Sequence, residues 1–298
     1  MAGLTNLEGE RGLVQAAYQE NVLYIVYSTR IFPLFNSSAN SIPAIFNYES
    51  HNGRDCCSKA GQPHSSALSA GKHPILNLSI LNLVLPEKKV SLPANINTTQ
   101  EIFKRIEISG SKAIVLTVDS ASSRTAHRAL RYSSGSRNKK YLYMTWGYLK
   151  DLQKLTSLPI IPKGIQTVED AQIAVAAGFP AIFLSNHGGR QLDGAPSALE
   201  VALEIHNEAP EIFQQVEVYA DGGIRYGADV LKLLALGVRA VGLGRPFMYA
   251  NIYGTEGVSR AIQLLKYEVS VGAGNLGVAD VQQIDSSYVS LTISIQES

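Results

Sequence analysis

Downstream of residue 113, short apolar and β-rich runs alternate with amphipathic stretches. The runs are 113–118, 158–161, 181–184, 216–220 and 240–243, several bounded by Gly or Pro. Strands buried on both faces of a parallel sheet have this character. Between them, Thr167-Val-Glu-Asp170 has the form of a helix-starting capping box. It is followed by Ala171, Ile173, Ala174, Val175 and Ala177, and Gly178 supplies a stop. Residues 226–236 similarly run helically into Gly237. From 158 onward the strands recur about every 23 to 35 residues, the repeat of successive βα units in an α/β barrel or a doubly wound sheet.

The first third is less regular. Thr5-Asn-Leu-Glu8 opens a helix expected over 7–20, and 22–27 reads as a strand. From 30 to 92 no period of 2 or 3.6 is sustained, and the longest greasy stretch, 75–85, is interrupted by Asn77, Ser79 and Asn82. This segment is expected to be irregular. Helical signal resumes at Thr98-Thr-Gln-Glu101 and continues through Ile102, Phe103, Ile106 and Ile108 to Gly110.

At 298 residues, one barrel-sized domain or two smaller ones fit. With 45% hydrophobic residues, 17% charged and a net charge of +1, the chain lacks the signatures of disorder or of a nucleic-acid footprint. A small-molecule partner is expected. The two cysteines, Cys56 and Cys57, are adjacent and make no disulfide framework. No signal peptide, membrane span or peroxisomal ending is read, so the expectation is a soluble intracellular protein, cytoplasmic by default. No metal site is expected.

Four segments at expected strand ends carry polar groups that a core would not need. They are Thr117-Val-Asp119, Lys163-Gly164, the run from Ser185 through Asn186, His187, Gly188, Gly189 and Arg190 to Asp193, and the pair 221–225 with 242–246. In a barrel, strand C-termini converge on one mouth. Asp221, Gly222, Gly223 and Arg225, with Gly244 and Arg245, form two successive glycine turns followed by arginine. Glycines admit backbone N–H groups to a phosphate, and the arginines add charge. Tight βα turns alone are the blander reading. His187 beside Arg190 suits a base next to a carboxylate anchor. Lys163 could stabilise negative charge, and Asp119 could orient His187 or simply cap a helix.

These segments, in this order, resemble the FMN-dependent 2-hydroxy acid dehydrogenase family, which includes glycolate and lactate oxidases and the flavin domain of flavocytochrome b2. The resemblance runs from Tyr143 to Val289. It implies a TIM (β/α)8-type barrel with FMN at its mouth, formed by one domain over 1–298 and incomplete or irregular in its N-terminal third. The implied roles are His187 as base, Arg190 on the substrate carboxylate, Lys163 at the flavin, and Asp119 paired with His187. Thr117 is placed on the isoalloxazine, and Asp221, Gly222, Gly223, Arg225, Gly244 and Arg245 around the ribityl phosphate. Ser28 is matched to a second-strand serine that touches the cofactor, and Arg124 to a substrate-binding arginine. The implied reaction converts a 2-hydroxy acid to a 2-oxo acid, with oxygen or another acceptor reoxidising the flavin, in a homotetramer by analogy.

Two departures stand out. The first ten residues resemble the segment after the family's first barrel strand, so the resemblance implies a chain without that strand, the helices before it and an early tyrosine. Where the family has a third strand, this chain has Ser91-Leu-Pro-Ala94. Either the irregular segment fills the gap, or the chain is a catalytically impaired remnant that binds flavin weakly or not at all.

Overall fold

The computed structural model describes residues 11–22, 24, 25, 78–81, 96–108, 111, 113–119, 131, 132 and 144–290. Seven strands form one sheet: β1 (Tyr24–Ile25), β2 (Leu78–Leu81), β3 (Ile114–Thr117), β4 (Ile160–Ile165), β5 (Ala181–Leu184), β6 (Glu217–Asp221) and β7 (Ala240–Leu243). Their order is β1-β2-β7-β6-β5-β4-β3, and every neighbouring pair is parallel. The helices are α1 (Arg11–Gln19), α2 (Ile96–Ile108), α3 (Trp146–Gln153), α4 (Val168–Ala176), α5 (Ala198–Glu208), α6 (Ile212–Gln215), α7 (Gly227–Ala235), α8 (Arg245–Ala250) and α9 (Gly254–Asn275). Among the described residues this is an open, incomplete (β/α) barrel sheet, with β1 and β3 at its two edges.

Alternation along each strand separates two apolar layers. Ile114, Leu116, Ile182, Leu184, Val218 and Ala220 join the large core between sheet and helices. Val115, Ile161, Ala181 and Phe183 face the other way into a smaller cluster with Ile25, against which Tyr219 packs. Both faces are therefore covered, which explains why β3, β5 and β7 read as continuous apolar runs.

Local chemistry sets the helix ends. Thr167 Oγ1 accepts from Asp170 N at 3.1 Å, as the sequence predicts, and Thr145 caps α3 in the same way through Tyr148 N. Ser197 and Glu200 make a reciprocal capping box on α5. Gly178 (φ 81°) and Gly237 (φ 104°) take the left-handed conformation that stops α4 and α7.

Two expectations change. The segment 30–92, read as irregular, contributes β2, which pairs with β1 on one side and β7 on the other. Strand β4 does not end before Pro162 but runs through Lys163 to Ile165. Pro162 has no N–H for the ladder, and the register against β5 shifts between Lys163 and Ile165. Gly164 sits in that bulge with φ 115°. The helix expected over 7–20 is described from Arg11, and the stretch 91–94 lies outside the described residues, as do Cys56 and Cys57. No described helix is long and apolar enough to cross a membrane.

Gly164 also permits a close approach between strands. A Cβ there would stand 2.6 Å from Asp119 Cβ and 2.8 Å from its backbone nitrogen. Gly164→Ala should therefore combine left-handed strain with a backbone clash and cost about 1–3 kcal/mol or more of stability. Urea unfolding of the variant tests this, and an unchanged midpoint would contradict it.

Candidate active site

All the strands point the same way, so residues at their C-terminal ends meet on one rim. A cavity of about 520 Å³ opens there. Of the residues singled out from sequence, Lys163, His187, Arg190, Asp221, Gly222, Gly223, Arg225, Gly244 and Arg245 line it. Thr117 and Asp119, at the end of β3, are not among its lining residues, and Asp119 meets it through His187. Ser28 and Arg124 lie outside the described residues.

The histidine turn follows β5. His187, Gly188 and Gly189 have φ values of 60°, 68° and 72°, three left-handed residues in succession. For histidine this conformation costs about 1–2 kcal/mol, so the surroundings must hold it. They do so through several bonds. His187 N donates to Ser185 Oγ at 3.0 Å, and Gly189 N donates to both the carbonyl and Oδ1 of Asn186 at 3.0 Å. Arg190 Nε donates to the His187 carbonyl at 2.8 Å, and an Arg245 terminal nitrogen donates to the Gly188 carbonyl at 2.7 Å.

The imidazole is buried and lies with Nδ1 3.1 Å from Asp119 Oδ1; both side chains are only 2% exposed. Beside a carboxylate, Nδ1 is the protonated nitrogen, which makes Nε2 the basic one. Burial pushes the His187 pKa below its ordinary value of 6.5, and the charges of Lys163 and Arg190 push the same way. The hydrogen bond and charge of Asp119 oppose them. The second Asp119 oxygen, Oδ2, is buried with no hydrogen-bond partner among the described residues.

Lys163, 5% exposed, is held by a different set of groups. Its ammonium donates to Ser185 Oγ at 2.8 Å, pairs with Asp221 Oδ2 at 3.1 Å and lies 5.5 Å from the Phe183 ring. Ser185 Oγ in turn donates to Asp221 Oδ1 at 2.5 Å. Sequence reading included Ser185 in the histidine segment without giving it a role. Its only signal was a hydroxyl closing an otherwise apolar run, whereas in the fold it joins Lys163, Asp221 and the backbone of His187.

The remaining rim is a cradle of glycine turns after β6 and β7, with Arg225 and Arg245 beside them. A Cβ on Gly223 would meet nothing within 4 Å, so the turn faces open space, while Gly222 packs toward Gly188 and Asn186. Among the described residues no cluster of His, Cys, Asp or Glu could hold a metal ion.

A histidine–carboxylate pair and a buried lysine share the rim of a parallel barrel sheet with an arginine–glycine cradle, the form of a small-molecule site with room for a phosphate-bearing cofactor. The sequence profile described as FMN-dependent dehydrogenase matches residues 132–291. The chain belongs to that family, whose cofactor is FMN. It is 36% identical over 220 residues to the L-lactate dehydrogenase (cytochrome) of Saccharomyces cerevisiae, covering 65% of this chain and 37% of that protein. It is 45% identical over 147 residues to 2-Hydroxyacid oxidase 1 of Homo sapiens, covering 49% and 39% respectively. Among solved structures, the flavin-binding domain of baker's yeast flavocytochrome b2 superposes with a TM-score of 0.60 at 39% identity, over 65% of this chain and 51% of that one. The chain thus spans about half or less of the length of these relatives. The profile match includes the lysine, histidine and cradle segments and begins after Thr117 and Asp119.

The residues present fit FMN. The cavity volume lies within the range of about 300–1,000 Å³ usual for small-molecule sites. Two arginines and glycine turns suit its phosphate, and a lysine at the base of the cavity suits an electron-rich ring edge.

The His187 environment can be checked without any ligand. Its ring should titrate below 6.5 by NMR. Asp119→Asn removes the carboxylate charge and weakens the hydrogen bond it accepts, so it should move the midpoint lower still; a midpoint that rises would refute the assignment of the pair.

Proposed function

We propose that this chain oxidises a small 2-hydroxy acid to the corresponding 2-oxo acid with FMN as its cofactor. The observation that carries this reading is the buried His187–Asp119 pair at 3.1 Å, opening onto a cavity shared with Arg190 and Lys163. The substrate carboxylate binds Arg190. Because Arg190 is itself anchored to the His187 carbonyl, the carboxylate anchor and the base are held in one frame. Neutral His187 takes the hydroxyl proton at Nε2, and Asp119 stabilises the imidazolium that results. Lys163 and Arg190 place positive charge where the substrate oxygen becomes negative. When bound, FMN supplies the two-electron acceptor that the side chains themselves lack. Asp221, Gly222, Gly223, Arg225, Gly244 and Arg245 would hold it, with Thr117 behind.

One observation favours a second reading, a catalytically impaired remnant with weak flavin affinity. Among the described residues the sheet is not closed between β1 and β3, which leaves one side of the mouth without a strand. The absorbance spectrum of purified protein separates the two. On the first reading it shows bound flavin that bleaches on anaerobic addition of glycolate, L-lactate or a longer 2-hydroxy acid. His187→Ala should keep the colour and slow bleaching by about 10²–10⁴. Colourless protein that takes up no added FMN would establish the remnant instead.

The depressed His187 pKa fixes a sign for the pH profile. The base works when neutral, so kcat/KM should rise with pH through a midpoint below 6.5 and hold on the alkaline side of it. An acid limb centred above 6.5 would argue against His187 as the base.

A further inference from the structure

The histidine turn and the phosphate cradle belong to different βα units, yet they touch. An Arg245 terminal nitrogen crosses from the turn after β7 to the Gly188 carbonyl at 2.7 Å. A Cβ on Gly188 would stand 2.9 Å from that nitrogen, so only glycine lets the guanidinium approach this closely. On the other side, a Cβ on Gly222 would come 3.0 Å from Asn186 Oδ1 and 3.6 Å from Gly188 Cα. The cradle therefore bears on the left-handed turn at two points. The other bonds to this turn's backbone described above come from Ser185, Asn186 and Arg190, within the segment itself. The bond from Arg245 comes from a residue that also lines the cradle.

We propose that Arg245 is a positioning residue that couples the two halves of the site, so that an anion in the cradle fixes the turn carrying His187. This rests on the cradle being a phosphate site, as the proposed function has it. A guanidinium can serve a carbonyl and an anion at once because its donors are spread over a rigid fork. An anion that orders the fork also orders the Gly188 carbonyl, and through it a backbone held in a sparsely populated conformation. By reciprocity, whatever holds the turn in place tightens anion binding by the same factor.

The coupling can be read on the full chain without flavin, using inorganic phosphate as the probe. The His187 Cε1–H resonance, assigned by its loss in His187→Gln, is followed against phosphate at constant ionic strength set with chloride, while calorimetry reports binding. In the unsubstituted protein the resonance should move saturably, with a midpoint matching the calorimetric Kd. Arg225→Lys should weaken phosphate about tenfold or more but reach the same end-point. Arg245→Lys keeps the cation and loses the fork, so phosphate should still bind at higher concentration while the His187 end-point shift falls to half or less. Arg245 is exposed, so neither fold nor solubility should suffer.

A His187 signal indifferent to saturating phosphate would overturn the proposal. So would a full shift in Arg245→Lys, or phosphate that does not bind at all. Failure here is separate from failure of the oxidase reading. Protein that bleaches with a hydroxy acid while His187 ignores phosphate keeps the function and loses the strut. Protein that never takes up FMN, yet moves His187 with phosphate, keeps the strut and loses the function.

Discussion

Parallel pairing of the strands is the constraint on which the site depends. Each strand in such a sheet must be reached by a crossover, and each therefore ends on the same side. The ends of β3 to β7 carry Asp119, Lys163, His187, Asp221 and Arg245 in or just past the last strand residues. None of these residues is near another in sequence unless it shares a strand end. The fold alone brings Asp119 to His187, Lys163 to Asp221 and Arg245 to the Gly188 carbonyl, which is why a polar rim can crown a sheet whose two faces are apolar.

The rim is electrostatically unlike the chain as a whole. The chain carries a net charge of +1, but four cations, Lys163, Arg190, Arg225 and Arg245, line the cavity, where Asp221 is the one lining carboxylate among the described residues and Asp119 lies against His187. A concave, partly buried surface of one sign concentrates anions. It also works on His187, where burial and the cations favour the neutral ring and Asp119 alone favours the charged one. The balance favours the neutral ring, with a carboxylate already beside it to meet an imidazolium charge. Arg190 and Arg245 each hold a carbonyl of the strained turn as well, so the same cations that suit anions also secure the backbone that carries His187.

Much of this was legible in the sequence from residue 113 onward, for identifiable reasons. Strands covered on both faces leave uninterrupted apolar runs, and 181–184 and 240–243 fall on the observed strands residue for residue. Caps are local, so Thr167 could be read from three residues of context. Lys163 was read just beyond a strand because Pro162 ordinarily ends one. The bulge at Gly164 carries the strand past it, and a bulge depends on the neighbouring register. Strand β2 was illegible for a related reason. Leu78, Ser79, Ile80 and Leu81 sit among interrupting asparagines, and what makes them a strand is the pair of edges they join. Ser185 shows the same limit at the site: a hydroxyl after an apolar run is common, and its three partners are assembled only by the fold.

The placement of β2 divides the site into two unequally supported halves. By pairing with β7 it covers the strand that leads into Gly244 and Arg245, so the cradle stands on strands flanked on both sides. Strand β3, which carries Thr117 and Asp119, pairs only with β4 among the described residues. What steadies Asp119 there is the bond from Val118 N to the Lys163 carbonyl at 2.8 Å and the close packing on Gly164. Among the described residues the turns after β6 and β7 thus stand on strands paired on both sides, while the backbone at Asp119 is paired through β4 alone and its side chain is held by His187. Local opening starts where backbone groups have fewest partners, so the position of Asp119 should loosen before the turns after β6 and β7 do. On the proposed function, the β3 edge bears on proton transfer, and the interior strands β6 and β7 bear on holding the cofactor.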